Sequence, residues 1–424
     1  MKTSWIITFF GCFTLLSIHN RSACQSTVIS IADGNWTNPA TWDCNCIPLP
    51  GDVIIVNSDV VLDMNWSTDS SLTVTPGSSL IENGTRTFAV YGSFINNGTV
   101  DISRFGVWGG SVINNDSMRI NQAFYNDAEF ENHDRLVDID SMTNAGTLKN
   151  LDSAYIFVQL YTNSDSMVNE GTIMAGGHTN MGKSYNSGTL NFTDYTNAGT
   201  AYNSGTLFFN DFTNAITGTF NNSALITGTN DFLNAGTFSN LSTGSFTIAR
   251  DFYNSDGTAP GWALFLNNGF VEVGDDWLNV DSVFGSTGRF CIQDSTANTG
   301  MMAGTFDFCD KTPPASQPFI DFNTGTIRPG ITWCTQSCNT GVTELRDDGY
   351  RLRVYPNPAI KSYIKIVSAG DPIYKIEVFD INGRMIVSKD DFSGNDFNIE
   401  LTDFQKGFYL FRVNDKPIQK IIVE

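Results

Sequence analysis

The sequence predicts an all-β protein, a right-handed parallel β-helix (solenoid) followed by a small C-terminal antiparallel β-sandwich. The first observation is a fixed repeat, because the pattern Asp-Phe-x-Asn recurs every twenty residues at positions 211, 231 and 251. A constant period near twenty is typical of solenoids, in which each repeat stacks on the next. The second observation is that the runs between turn residues are short and rich in β-branched and aromatic side chains, with no helical periodicity. The third is that short apolar strands separated by Gly, Pro and Asn continue after residue 350 without this repeat.

Residues 1–24 are predicted to be a secretory signal peptide. Lys2 supplies the positive end, the stretch 5–18 is apolar, and Ser22-Ala23-Cys24 provides a cleavage site made of small residues. The apolar stretch is too short for a membrane-spanning helix, and no later segment reaches the required length of about 20 residues. We therefore expect an exported chain without a transmembrane segment.

Residues 25–75 are expected to form an N-terminal cap and the first coils. The segment 34–42 contains two tryptophans, Trp36 and Trp42. This arrangement resembles the two-tryptophan opening of many exported β-helical proteins. Because the open end of a solenoid core must be covered, Trp36 and Trp42 are predicted to plug the first coil. A sugar-stacking role for the two rings is the alternative, which makes both of them candidate ligand-binding residues.

Residues 76–338 are expected to form the parallel β-helix repeats. A recurring phrase of Asn, a small residue, Gly and Thr marks the turns, for example at 144–147, 186–189 and 234–237. Glycine allows the sharp bend that such a turn needs. The phrase dominates residues 76–310, and at twenty residues per coil this region makes about twelve coils, which stack at about 4.8 Å into a rod of order 55 Å.

Residues twenty apart become neighbours in such a rod. Phe212, Phe232 and Phe252 are predicted to stack inside it as an aromatic column. The asparagines two residues further along the chain are predicted to form a ladder of amide groups at a turn. These asparagines are Asn214, Asn234 and Asn254. Both sets are interpreted as structural.

The aspartates of the same repeat form a candidate ligand-binding column. Asp211, Asp231 and Asp251 would stack about 5 Å apart, and like charges at this distance repel each other. The column must therefore be solvated, paired, or bridged by a cation such as calcium. The Gly-Gly-x-Gly-x-Asp repeat of calcium-binding β-rolls is absent, so no dedicated metal site is predicted, and calcium is left open as the one cofactor.

Six cysteines remain after removal of the signal peptide, and an even number in an exported chain favours disulfides. They are Cys44, Cys46, Cys291, Cys309, Cys334 and Cys338. Cys291 and Cys309 are about one coil apart, which predicts that they face each other and pair, with Cys334–Cys338 closing the far end. Cys44–Cys46 would form a strained small ring at the other end.

No catalytic residue is predicted. Residues 25–343 contain 10 Lys or Arg and 31 Asp or Glu, and this charge of about −21 argues against nucleic-acid and anionic-lipid partners. Adjacent acids occur at Asp275-Asp276, and His133 and His178 stand outside any nucleophile motif. Enzymes that cleave acidic polysaccharide need clustered Asp with Lys or Arg in a cleft, whereas the basic residues here are scattered. Whether carboxylates of different coils meet is left open.

The stretch 339–349 is expected to be a linker, and residues 350–424 a separate C-terminal domain. Asn382-Gly383 lies between two apolar runs and predicts a hairpin, and Pro356 and Pro358 suit the entry of an edge strand. Three blocks in this region closely resemble the type A C-terminal sorting domain of the type IX (Por) secretion system. The residues that carry the resemblance are Tyr355, Pro356, Asn357, Pro358, Asp380, Asn382, Gly383, Arg384, Gly407, Tyr409 and Lys420.

This resemblance implies a delivery route and a partner. In that family the domain is an export tag, which the outer-membrane machinery reads and usually removes when the cargo is attached to the cell surface or released. The type IX secretion machinery is thus the expected partner, and the expected location is the cell surface or the extracellular space.

Two kinds of function are compatible with these features. The first is a non-enzymatic exported surface or extracellular β-helical protein that serves adhesion, a matrix or glycan interaction. The alternative is a carbohydrate-active β-helix protein that binds glycans or cleaves acidic polysaccharide. Ice binding would need flat Thr-x-Thr rows, which the sequence does not show. The two kinds of function named first make glycans or surface proteins the expected ligands.

Overall fold

A computed structural model gives the architecture of most of the chain. It describes residues 26–257, 261–312, 316–336, 338, 352–355, 359, 363–368, 373–380, 385–390, 394, 396–401, 404–414 and 419–423. The predicted signal peptide and the predicted linker lie outside the described residues. The chain forms two compact units, Met1–Cys338 and Asn339–Glu424.

The first unit is a parallel β-solenoid of about 13 turns, which confirms the predicted fold. A typical coil contributes strands to three faces, here called the first, second and third faces in chain order. The first face is one parallel sheet of sixteen strands in sequence order. Its strands are Thr27–Ile29, Val53–Val56, Ser71–Val74, Ser93–Asn96, Ser111–Asn114, Glu129–Asn132, Thr147–Asn150, Ser166–Asn169, Lys183–Asn186, Thr200–Asn203, Thr219–Asn222, Thr237–Asn240, Leu264–Asn267, Ser282–Gly285, Met301–Gly304 and Thr326–Ile327.

The second and third faces share seven long strands in the middle of the solenoid. These are Thr99–Val107, Ser117–Asn126, Arg135–Asn144, Tyr155–Asn163, Thr172–Asn180, Thr189–Asn197 and Thr206–Asn214. The start of Thr99–Val107 pairs with a strand of the second face, and its end pairs with a strand of the third face. Each long strand therefore belongs to both faces.

Towards both ends of the solenoid the second and third faces have separate strands. On the second face these are Gly34–Asn35, Asp59–Leu62, Ser79–Glu82, Leu225–Gly228, Ser245–Ile248, Phe270–Val273, Arg289–Ile292, Asp307–Asp310 and Thr332–Trp333. On the third face these are Trp66–Thr68, Thr87–Val90, Phe232–Asn234, Phe252–Asn254, Trp277–Asn279, Thr296–Asn298 and Phe322–Asn323. A single 3-10 turn, Pro39–Thr41, is the one helical element in the described part of the chain.

The coil length is less regular than the predicted twenty residues. Equivalent asparagines are 17 residues apart from Asn163 to Asn214 and 20 apart from Asn214 to Asn254. The next step, from Asn254 to Asn279, is 25 residues long. Twelve strands of the first face, from Ser93–Asn96 to Met301–Gly304, lie within residues 76–310, which agrees with the twelve coils predicted there because shorter and longer coils offset each other.

The predicted aromatic column fills the solenoid behind the third face. Phe212, Phe232 and Phe252 are buried, with successive ring centroids 5.3 and 5.1 Å apart. The column continues to Trp277, whose ring centroid lies 6.3 Å from that of Phe252. Along these strands, apolar side chains that point into the solenoid alternate with side chains that point outwards. The inward side chains of successive coils form one continuous hydrophobic cluster.

The predicted amide ladder exists, and the structure contains a second one. In each ladder, the side-chain NH₂ of one Asn donates to the side-chain oxygen of the Asn in the next coil, at 2.7–2.9 Å. The ladder after the third face contains Asn126, Asn144, Asn163, Asn180, Asn197, Asn214, Asn234, Asn254, Asn279, Asn298 and Asn323. The ladder after the first face contains Asn96, Asn114, Asn132, Asn150, Asn169, Asn186, Asn203, Asn222, Asn240 and Asn267.

The disulfides at the far end differ from the predicted pairing. Cys291 and Cys309 do face each other as register partners, but Cys291 bonds to Cys338 and Cys309 bonds to Cys334. In-register side chains of parallel strands stay near the strand spacing of about 4.8 Å, whereas a disulfide needs Cβ atoms about 3.8 Å apart. The prediction that these two residues bond to each other was therefore wrong, and the bonds instead attach the last segment of the unit to the outside of its final coils. The predicted Cys44–Cys46 bond is present.

The second unit consists of two antiparallel sheets that share one hydrophobic core. The three-stranded sheet has the order Leu352–Tyr355, Tyr363–Ser368, Asp396–Glu400. The four-stranded sheet has the order Met385–Lys389, Ile376–Asp380, Gly407–Val413, Gln419–Val423. The predicted hairpin partners on either side of Asn382-Gly383 pair with each other. The strand before Pro356 lies at a sheet edge, but the strand that follows the two prolines, Tyr363–Ser368, is the middle strand of its sheet, so the prediction that they lead into an edge strand was wrong.

Candidate functional site

The predicted aspartate column lies at the corner where the second face turns into the third, and it is longer than predicted. Its members in the structure, here called the aspartate row, are Asp194, Asp211, Asp231, Asp251 and Asp276. Oδ1 of Asp211 accepts a hydrogen bond from the backbone N–H of Asp231 at 3.2 Å. Asp231 and Asp251 accept in the same way from the next coil, at 3.3 and 3.2 Å. The carboxylates of Asp211, Asp231 and Asp251 are thus oriented by the backbone of the coil that follows each of them.

The repulsion within the aspartate row is moderated by amide groups. Asp211 also accepts from the side-chain NH₂ groups of Asn230, at 2.6 Å, and Asn210, at 3.1 Å. No ion pair within the described ranges involves a member of the row. Because hydrogen bonds from neutral donors leave the negative charge in place, the corner presents a line of carboxylates to its surroundings.

Three carboxylates come together at one end of the row. Oxygen atoms of Asp251, Asp275 and Asp276 lie within 4.8 Å of one another. Loss of hydration raises the pKa of Asp275, the charges of Asp251 and Asp276 raise it further, and Arg250 lowers it. The sequence identified Asp275-Asp276 as adjacent acids, but their meeting with Asp251 depends on the 25-residue coil between Asp251 and Asp276.

The hydroxyl of Tyr253 is coupled to the same cluster. It donates a 2.9 Å hydrogen bond to Oδ2 of Asp251. This bond, the loss of hydration and the nearby carboxylates raise the pKa of Tyr253 to about 12. Tyr253 therefore stays a neutral hydrogen-bond donor at physiological pH.

The two tryptophans of the N-terminal cap are core residues. Trp36 and Trp42 are 0% and 1% exposed, with ring centroids 4.9 Å apart. The indole N–H of Trp42 donates to the carbonyl oxygen of Trp36 at 2.9 Å. A buried ring has no free face for a sugar, so the ligand-binding interpretation of both residues was wrong. Their position in the first coil agrees with the predicted plug.

An exposed aromatic pair that the sequence did not indicate lies where two third-face strands end, with Trp108 directly after Thr99–Val107 and Tyr125 near the end of Ser117–Asn126. Trp108 is 46% exposed, and its ring centroid lies 4.5 Å from that of Tyr125 at an interplanar angle of 31°. A Cβ atom on Gly106 would lie 2.6 Å from the indole nitrogen, which shows that the ring lies against the backbone of the strand that precedes Trp108. On the same surface, the guanidinium of Arg104 donates to the side-chain oxygen of Gln122, which lies one coil further along, at 3.0 Å.

A second exposed pair lies on the first face. Tyr185 and Tyr202 stack with centroids 5.2 Å apart and an interplanar angle of 4°. They are register partners in neighbouring strands, and each is somewhat more than two-fifths exposed. In this pair the rings cover each other's faces, whereas Trp108 lies along the surface.

The two histidines do not form a catalytic site. His133 lies on the surface with its Nε2 atom 3.5 Å from a carboxylate oxygen of Glu131. His178 is buried between Tyr161 and Phe192, with ring centroids 4.6 and 4.5 Å away. Neither of its nitrogens has a hydrogen-bond partner among the described residues. A ring enclosed in the core has no access to a substrate.

The residues of the predicted sorting motif lie in and between the strands of the second unit. Tyr355, Asp380, Gly407, Tyr409 and Lys420 belong to its strands. The hydroxyl of Tyr409 donates to the carbonyl oxygen of Gln405 at 2.8 Å, and its ring packs against Phe404. Pro356, Asn357, Pro358, Asn382, Gly383 and Arg384 lie outside the described residues.

A parallel β-solenoid with a separate antiparallel unit at its C-terminus defines a passenger that carries a small terminal domain. Residues 353–424 match the family model of the secretion system C-terminal sorting domain. The chain therefore carries a type IX sorting tail, and it is an exported protein of the cell surface or the extracellular space. No curated protein and no solved structure is detectably similar to the chain. Within the described ranges, no helix has the length and apolar character needed to span a membrane.

Proposed function

We propose that this exported solenoid is a non-enzymatic adhesion protein that binds glycans through aromatic side chains on its outer surface. The proposal is carried by the pair Trp108 and Tyr125. A half-exposed indole that lies flat on a rigid sheet offers an apolar face, on which the C–H groups of a sugar ring pack. Arg104 and Gln122 add polar groups beside the rings, and a few polar groups next to apolar surface are what small-ligand sites use for orientation.

The rigidity of the site supports this assignment. The backbone under Trp108 belongs to Thr99–Val107, a long strand that pairs with neighbours on both sides. A ring held by a paired strand loses little conformational freedom on binding, so more of the contact energy appears as affinity.

The test is a glycan array with the full chain, followed by titration of any glycan that binds. Trp108→Ala is expected to lower the affinity about two- to twelvefold, because one aromatic contact contributes about 0.5–1.5 kcal/mol. The matched control is Trp262→Ala, which removes an even more exposed indole, in the corner segment between Asn254 and Leu264. Equal losses in the two variants, or an array without binding by the folded chain, would refute the proposal.

Calcium-dependent cleavage of an acidic polysaccharide is a second candidate function, favoured by the cluster of Asp251, Asp275 and Asp276. Carboxylate oxygens are the ligands that calcium prefers, and Arg250 lies near enough to lower the pKa of Asp275. Incubation with polygalacturonate or alginate, with calcium and with chelator, tests this candidate. Calcium-dependent product release that Asp276→Asn abolishes would support it, and the absence of products would remove it.

A further inference from the structure

The outer surface of the third face carries a line of threonines in register. This threonine row consists of Thr143, Thr162, Thr179, Thr196 and Thr213, each paired with the next in a parallel ladder. All five are partly buried, and none of their hydroxyl groups forms a hydrogen bond with another described residue. The row therefore offers five identical donor and acceptor groups, separated by the strand spacing of about 4.8 Å.

Aromatic residues stand at both ends of the threonine row. Tyr125 is the register partner of Thr143, and it touches Trp108. At the other end Thr213 pairs with Leu233, and Leu233 pairs with Tyr253. From Tyr125 to Tyr253 the track covers seven strand spacings, which is about 34 Å along the solenoid.

The aspartate row begins beside Thr196 and Thr213 and continues beside Leu233 and Tyr253, whereas the three earlier threonines have Ser141, Leu160 and Gly177 at the equivalent position. Asp194 and Thr196 are two residues apart on one strand, and so are Asp211 and Thr213, so both side chains of each pair point outwards. At the far end of the track, the hydroxyl of Tyr253 donates a hydrogen bond to Asp251 of the aspartate row. Each of these coils thus repeats a carboxylate beside a hydroxyl or an apolar group.

We propose that the third face binds one extended polysaccharide chain along the solenoid axis, and that this polymer carries amino groups. The proposal rests on the glycan-binding function proposed above and names its ligand class. The protein surface repeats the same kind of side chain once per coil, and a polysaccharide repeats the same chemical group once per sugar. Each additional sugar can therefore make a contact equivalent to that of the sugar before it. A line of carboxylates without ion pairs in the described structure attracts ammonium groups and repels the carboxylates of acidic polymers.

The experiment compares soluble oligomers of β-linked glucosamine with neutral β-linked glucose oligomers of equal length and with polygalacturonate. The full chain is titrated with oligomers of increasing length. The expected result is a preference for the amino sugar, with an affinity that rises with length until the oligomer spans about 34 Å. Polygalacturonate is expected to bind most weakly in the absence of calcium.

The matched variants remove three charges from different surfaces. Asp194→Asn/Asp211→Asn/Asp231→Asn keeps the side-chain oxygen that accepts the backbone hydrogen bonds, and it is expected to lower the affinity for the amino oligomer about tenfold. The control Asp134→Asn/Asp152→Asn/Asp165→Asn changes the net charge equally, at exposed positions in the turns between strands, outside both the aspartate row and the threonine row. Equal losses in the two triple variants would show unspecific attraction to an acidic protein and overturn the inference.

The outcomes separate this inference from the function on which it rests. Binding of neutral glycans that Trp108→Ala abolishes, without any preference for amino sugars, would retain the adhesion function and overturn the ligand class. An affinity that does not change with oligomer length would overturn the extended track. Thermal unfolding of both triple variants near the wild-type temperature excludes misfolding as the cause of any loss.

Discussion

At the scale of single residues, His178 is a basic side chain enclosed in an apolar core. It occupies a position of the aromatic column between Tyr161 and Tyr195, and no charged side chain of the described chain packs against its ring. Burial lowers the pKa of His178 to about 3, although a backbone contact with Tyr161 acts in the opposite direction. The ring is therefore neutral in the folded protein over the whole physiological range.

This position predicts that the solenoid loses stability in acid. The pKa of His178 is lower in the folded state than in the unfolded chain, so acidification protonates the unfolded chain first. Stability is complete above the unfolded value of about 6.5 and falls as the pH decreases towards 3, with a slope of up to about 1.4 kcal/mol per pH unit. Chemical denaturation at pH 7, 6 and 5 measures this slope.

The comparison of two variants isolates the histidine. His178→Phe, which continues the aromatic column, is expected to reduce the pH dependence below pH 6.5. The control Phe192→Leu alters the apolar core beside the ring of His178 without removing a titratable group, and it should keep the pH dependence of the wild type. An identical slope in wild type and His178→Phe would contradict the prediction.

A buried asparagine of the ladders predicts a second effect at this scale. The side chain of Asn180 accepts from Asn163 and donates to Asn197, both at 2.8 Å. Asn180→Ala leaves a donor of Asn163 and an acceptor of Asn197 unpaired in the core, which should lower the free energy of unfolding by about 2 kcal/mol or more. Urea denaturation of each variant measures the change.

The control uses a surface pair with the same chemistry. Asn115 donates to Asn97 at 2.8 Å, but this bond is exposed to water. Asn115→Ala should therefore change the free energy of unfolding by less than about 0.5 kcal/mol. A similar loss in both variants would mean that burial does not give the ladder its stability.

At the scale of elements, the repeat was visible in the sequence, but its register was not. The phrases that begin at Asn186 and Asn203 belong to the ladder after the first face, and those at Asn144 and Asn197 belong to the ladder after the third face. In the sequence, all of these phrases look like one kind of turn. The alternation of long and short gaps between the phrases is the signal that separates the two sets.

The sequence did not predict the threonine row or the full aspartate row for a related reason. Successive members of the threonine row are 17 to 19 residues apart, so a constant period of twenty does not align them. Aspartates 211, 231 and 251 were found because their coils do have that length. The meeting of Asp275 with Asp251 depends on the longer coil that follows, which no constant period anticipates.

The pairing of the cysteines gives a prediction about the last coils. Under the observed pairing, Cys291→Ser/Cys338→Ser removes one complete disulfide and exposes no additional free thiol. The neighbour pairing predicted from the sequence would instead leave Cys309 and Cys334 free. Thiol titration of the denatured, unreduced variant should therefore give the wild-type number, and two additional thiols would contradict the structure.

The complementary variant provides the control for that titration. Cys291→Ser/Cys309→Ser breaks both observed disulfides at once and should add two free thiols, those of Cys334 and Cys338. These bonds close loops of 25 and 47 residues, and loops of this size stabilise the folded state by about 3–4 kcal/mol in the chain-entropy model. The same variant should therefore also unfold at a lower temperature.

At the scale of the whole molecule, the sorting domain and the proposed binding surfaces lie in different units. The sorting domain occupies 353–424, and the charged and aromatic surfaces that we propose for ligand binding lie in the solenoid. Removal of residues 353–424 is expected to abolish surface delivery in a host with the type IX machinery, because that segment carries the signal that the machinery reads. Immunoblots of surface, medium and periplasmic fractions measure the location, and delivery of the truncated chain at the wild-type level would contradict the assignment.

The reciprocal experiment tests whether the sorting domain is sufficient as well as necessary. A monomeric fluorescent reporter placed between residues 1–24 and residues 339–424 lacks the solenoid, yet it should reach the cell surface or the medium. The same reporter with Tyr409→Ala loses a ring that packs against Phe404 and a hydroxyl that anchors Gln405, so the sorting unit should be destabilised and export should fall. Export of the unaltered reporter would show that the sorting domain acts independently of its cargo, of which a glycan-binding solenoid is one example. Retention of the reporter inside the cell would show that the solenoid itself contributes to export.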